Sequence, residues 1–149
     1  MANETVDHLK SLHINAIDAR NGYQEALKDA ADGAMSPVFH DMMTLHDDNA
    51  AELGRELVKV NELPDDAGSF MTTVHKTIMD VRSLFNGLDE SVLPGLIDGE
   101  KRNVSNYDEA LKQTGAPASV VTLLIRQRDK LAQKITQMQA MTAKSERVS

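Results

Sequence analysis

A chain of 149 residues is long enough for one domain with a sizeable core, and its net charge of −7 repels a nucleic-acid backbone or an anionic membrane on average. There is no cysteine, which excludes disulfides, thiolate metal ligands and a cysteine nucleophile. With 3% aromatic residues, no Trp and 8 Met, the interior must be built from Ala, Leu, Val, Ile and Met, which suits packed helices. The opening MANETVDHLK has neither the basic nor the apolar region of an export signal, and no apolar run is long enough to span a membrane. A single soluble, cytoplasmic domain over 1–149 is expected.

The first helix is predicted from about Glu4 to Ala31, with Asn3 as N-cap and Asp32-Gly33 as its stop. Its apolar arc holds Val6, Leu9, Leu12, Ala16, Ile17, Ala19, Tyr23, Leu27 and Ala30. His13 and Arg20 fall inside that arc, while Asp7, Asp18 and Glu25 fall opposite. The second helix is expected to open with Ser36 as N-cap and Pro37 at N1, and to run to about Glu62. Phe39, Met42, Met43, Ala50, Leu53, Leu57 and Val60 share its core face, with His46 at the centre and Asn49 one turn on. His40, Asp41, Asp47 and Asp48 read as a solvated face.

LPDDAG (63–68) is a break, after which Ser69 caps a shorter helix over about Phe70–Phe85, flanked by His75 and Arg82 and stopped at Asn86-Gly87. His75 reads as a packing or hydrogen-bonding residue. A third long helix is expected from about Glu90 to Lys112, capped by Asp89, with Pro94 tolerated near the first turn. Its apolar face is Leu93, Leu96, Ile97, Val104, Tyr107 and Leu111. Glu100 lies in the middle of that face with Asn103 beside it, and a carboxylate buried there needs a cation, a metal or a proton. Thr114-Gly115 ends this helix. The fourth runs from Pro117 to about Thr142, with Val120, Leu124, Leu131, Ile135 and Met138 on its core face, Gln127 among them and a frayed tail over about 144–149. Arg126, Arg128, Lys130 and Lys134 read as its exposed side, without the aromatics of a nucleic-acid patch.

No strand is visible, so the fold class is all-α. Short loops make the first and second helices antiparallel, and likewise the third and fourth. The connection over about 63–88 is long enough to return along the bundle, which would make the second and third helices parallel.

The stretches DARNGY (18–23), AAELGREL (50–57), VHKTIMDVRSLFNG (74–87), Gly99-Glu100 and NYDEALK (106–112), in this order and spacing, carry a resemblance. The chain resembles a bacterial family of uncharacterised ferritin-like four-helix bundles, known mainly as a domain of unknown function, over roughly residues 6 to 140. The resemblance implies a ferritin-like bundle with a long crossover carrying a short fifth helix, and no established activity. The wider ferritin-like class implies two metals held by a Glu from each of two helices and a Glu-x-x-His from each of the others. This sequence departs from that pattern. The second helix offers His46-x-x-Asn49, the fourth offers Gln127, and the first offers His13 and Arg20 where a carboxylate is wanted.

Counted by depth, Arg20, His46 and Glu100 fall in one layer, with Asn103, Tyr107 and Gln127 completing a buried polar set. The expectation is a structural layer centred on an Arg20–Glu100 ion pair with His46 hydrogen-bonded nearby, and neither a cofactor nor a catalytic group. The rival is a site for iron or another transition metal on His46, Glu100, Asn49 and His13. The functional expectation is a non-enzymatic binding or stress-related bundle; the alternative is a metal-binding oxidoreductase or iron-handling protein. A homodimer is expected, formed through the crossover helix or the first helix, with no nucleic-acid or membrane partner.

Overall fold

The computed structural model describes residues 3–30, 33, 35–62, 90–113 and 115–148. Among these, the chain forms four α-helices and one 3-10 turn, with no strand. They are α1 (Asn3–Ala30), α2 (Ser36–Lys59), the turn Glu90–Val92, α3 (Leu93–Leu111) and α4 (Ala118–Val148). The break at Leu63–Gly68, the Ser69 cap and the helix expected over Phe70–Phe85 lie outside the described residues. So do His75, Arg82, Asn86-Gly87 and the Asp89 cap.

Helix ends follow local chemistry, with small departures from expectation. Met35, not Ser36, is the N-cap of α2; no side chain caps this end, and Pro37 sits in the first turn, where a missing N–H costs nothing. α2 stops before the expected Glu62, in a Schellman motif. Asn61 is left-handed (φ 62°), its N–H donates to the Val58 carbonyl at 3.0 Å, and the Glu62 N–H donates to Leu57 at 2.9 Å. α3 opens at Leu93, immediately before Pro94, whose ring would clash with a carbonyl one helical turn back; Glu90–Val92 winds as the tighter 3-10 turn instead. Between α3 and α4, Gly115 takes φ 94°, a conformation that favours glycine. The Pro117 carbonyl accepts the N–H groups of Val120 and Val121, each at 3.0 Å, and starts α4. α4 extends to Val148, over most of the tail for which fraying is expected, and neither Gly nor Pro follows Thr142.

Residue pairs give the directions. Lys10 meets Glu62 and Arg20 meets Asp47, so α1 and α2 are antiparallel. Asp41 meets Lys134 and Glu52 meets Arg126, so α2 and α4 are antiparallel. The short turn after Leu111 folds α4 back along α3, with Asp108 on Arg128 and Tyr107 on Gln127. α2 and α3 therefore point the same way. α1 packs on α2 and α3, and α4 on α3 and α2, which leaves α2 and α3 facing each other across the diagonal of the bundle. The main core unites Leu9, Leu12, Tyr23, Phe39, Met42, Leu53, Leu93, Leu96, Leu131 and Met138, all from the predicted apolar faces. Ala16, Ile17 and Ala50 form a small separate cluster between α1 and α2.

Candidate functional site

All four helices send polar groups into one layer of this core. His46, Asn49, Glu100 and Gln127 are each at most 2% exposed, as the helical periodicity of their neighbours predicts. Each is flanked one turn away by Leu, Met or Ala on the buried face, so packing of those apolar neighbours turns the polar side chain inward.

Glu100 is fully buried on α3. Its carboxylate faces His46 of α2 across the diagonal, with Nε2 at 2.9 Å from Oε2 and 3.1 Å from Oε1. Asn103, one turn along α3, donates to Oε1 at 3.0 Å. The Tyr23 ring of α1 stacks on the His46 imidazole, with centroids 5.8 Å apart and planes 12° from parallel. Tyr23 in turn meets the Phe39 ring at 6.3 Å.

On the other side of the layer, the Tyr107 hydroxyl donates to Gln127 Oε1 at 2.7 Å. Gln127 passes the link to α2, donating from Nε2 to Glu52 Oε1 at 3.2 Å and to the Asn49 carbonyl at 3.4 Å. Arg126 holds the second oxygen of Glu52. Both tyrosine hydroxyls are pushed above tyrosine's ordinary value of 10.0, first by burial and then by the Glu100 carboxylate. The Tyr23 hydroxyl and Asn49 Nδ2 are buried without a hydrogen-bond partner among the described residues.

The expected Arg20–Glu100 pair is not formed. Arg20 lies at the outer edge of the α1–α2 seam, its side chain 28% exposed, and donates to Asp47 at 3.1 Å and to its neighbour Asn21. Tyr23, three residues on, occupies the inward position over the layer, so the cation of the layer is replaced by an imidazole donor. Arg20 thus leaves the buried set, to which His46, Glu100, Tyr107 and Gln127 belong, while Asn103 is half-buried at its edge. Asp18, expected on the solvent side of α1, is 9% exposed.

Of the residues weighed as metal ligands, His46 and Glu100 come together, with Nε2 2.9 Å from Oε2. His13 is buried, but it lines a groove on the outside of the α1–α2 seam with Arg20 and Asp47. Among the described residues, no three His, Cys, Asp or Glu side chains come together as a set able to hold a metal ion. Glu52 and Tyr23 are the members of the layer that sequence reasoning missed. Glu52 follows Asn49 by one turn and carried a signal in that spacing; Tyr23 was legible as core, but not as the ring over His46.

The outward residues behave as their charges suggest. His40, Asp41, Asp47 and Asp48 are exposed. Of the basic series on α4, Arg126, Arg128 and Lys134 each pair with a carboxylate, on Glu52, Asp108 and Asp41. No helix among the described residues is long and apolar enough to cross a membrane.

Residues 4–113 match the family described as Domain of unknown function (DUF2383). The chain belongs to this family. The match takes in α1 to α3, and with them Tyr23, His46, Asn49, Glu52, Glu100, Asn103 and Tyr107. It ends before α4, so Gln127 of this DUF2383 chain lies beyond it, and it is shorter than the span of roughly 6 to 140 expected from the resemblance. No curated protein matches the chain.

Proposed function

We propose that this DUF2383 chain is a ferritin-like bundle with a long crossover, whose central layer serves stability and alignment in place of metal chemistry. It acts non-catalytically, as a binding or stress-related protein, through its surface and by self-association. The observation that carries this reading is the engagement of Glu100: both carboxylate oxygens face His46 Nε2, and Asn103 donates to one of them. A pair of iron ions needs several carboxylates to offset its charge and to bridge. In this layer the other carboxylate, Glu52, is held by Arg126 and Gln127. The parallel course of α2 and α3 supports the ferritin-like topology, since helices that are consecutive in such a bundle run parallel only across a long crossover.

Metal analysis of protein purified without a histidine tag tests the reading, after incubation with Fe(II) under air and dialysis. Substoichiometric metal and no added oxygen uptake are expected. About two Fe per chain, with oxygen consumed as Fe(II) is added, would overturn it in favour of an iron-handling oxidoreductase of the ferritin-like class.

A further inference from the structure

The α1–α2 seam carries a groove of about 710 Å³ on its outer side. Its floor is apolar and small-featured: Ile17, Ala50, Ala51, Gly54 and Val58. Val58 is 59% exposed, more than Ile125, the other exposed bulky apolar side chain on the described residues. Of the charges at its rim, Arg20 of α1 is paired with Asp47 and Lys59 with Glu56, and Asp47 and Arg55 are ordered along α2. Asp47 lies one turn before Ala51 and Arg55 one turn after it, at equal distances along the helix. Asp47 already accepts from Arg20 with one oxygen, while Arg55 has no ion-pair partner among the described residues.

We propose that a second copy of this chain docks here, α2 against α2, antiparallel about a two-fold axis at Ala51. The charge order selects this occupant. A two-fold interface sets residue i against j and j against i. With Ala51 on the axis, Asp47 of each copy faces Arg55 of the other, and Thr44 faces Val58. Ala51 and Gly54 let the backbones approach closely. A parallel pairing would set Asp47 on Asp47 and Arg55 on Arg55, which like-charge repulsion forbids. The interface centres on α2, with Ile17 of α1 in the floor of the same groove.

This inference specifies the self-association in the proposed function. Metal content tests that reading and mass tests this one, so the two fail separately. Sedimentation equilibrium of the full chain at micromolar concentration is expected to give twice 16.4 kDa. Arg55→Glu alone, and Asp47→Lys alone, should each weaken the dimer by roughly 100-fold or more, since each sets two like-charge pairs across the axis. An equimolar mixture of the two variants should recover the dimer, because every cross-axis pair in the mixed species is again opposite in sign. Circular dichroism of each variant confirms its helical content. The chain has no cysteine, so Ala51→Cys introduces a single thiol on the axis and should oxidise to a disulfide-linked dimer. A wild-type monomer, a dimer indifferent to Arg55→Glu, variants that fail to recover on mixing, or a dimer that Ala51→Cys does not cross-link would each overturn the proposal.

Discussion

Among the described residues, the buried Glu100 carboxylate is held by His46 and Asn103, and this makes the cost of losing each partner unequal. His46→Leu leaves a buried charge held by one amide and should destabilise by about 3–5 kcal/mol. Glu100→Gln keeps an acceptor and removes the charge, so its cost should be about 1–3 kcal/mol. The double variant, His46→Leu with Glu100→Met, should be nearly neutral, because a buried pair contributes little over apolar side chains of similar volume. Urea unfolding of the three variants checks the order; additive losses in the double variant would contradict it. Arg20→Ala should cost less than about 1 kcal/mol, since its pair with Asp47 is screened at the surface. The tyrosines offer a second contrast from one chemistry. Tyr107→Phe strands Gln127 Oε1 and should lose about 1–2 kcal/mol, whereas Tyr23→Phe removes a buried hydroxyl that has no partner among the described residues and should be neutral or stabilising. Equal losses from both would show that the Tyr23 hydroxyl is hydrogen-bonded.

At the scale of elements, the helices were legible because their apolar residues recur at helical spacing and their stops carry Asn, Gly and Pro at readable places. Gly115 is one such place. Its φ of 94° strains any L side chain although a Cβ there would meet nothing within 4 Å, so Gly115→Ala should lower stability by about 1–2 kcal/mol with no change in packing. A thermal melt unchanged by that substitution would mean that the α3–α4 turn re-forms without the left-handed residue. Periodicity places a side chain around its own helix axis, and this was enough to bury His46, Asn49, Glu100 and Gln127. It does not say which neighbour an arc faces when one helix packs on two others. α1 packs on both α2 and α3, and its arc runs past the layer to the outer seam. Arg20 falls at the seam end of the arc and Tyr23 at the layer end. The Arg20–Glu100 pairing failed for this reason: depth along the bundle was readable from loop lengths, whereas direction across it was not.

For the whole molecule, the layer ties stability to pH at the alkaline end. Folding raises both tyrosines above the value of 10.0 that they regain on unfolding. Their contribution is therefore complete below pH 10 and is lost as pH rises from there toward the folded values. Each tyrosine removes up to about 1.4 kcal/mol per pH unit over that window. The chain has 2 Tyr and no Trp, so tyrosinate absorbance follows this layer without interference. Ionisation should appear only together with the loss of helical circular dichroism; tyrosinate formed near pH 10 in a chain still fully helical would contradict the burial of one hydroxyl or both.

The stack of Tyr23 on His46 also has a magnetic consequence. An imidazole lying nearly parallel to a phenol ring, with centroids 5.8 Å apart, feels the field of that ring's circulating π electrons. The His46 ring protons should therefore resonate apart from those of the exposed His40, and the difference should change when Tyr23 is replaced by Leu. A single line in a proton spectrum would then report, without any label, whether α1 remains docked over the α2–α3 diagonal as temperature, salt or a partner is varied.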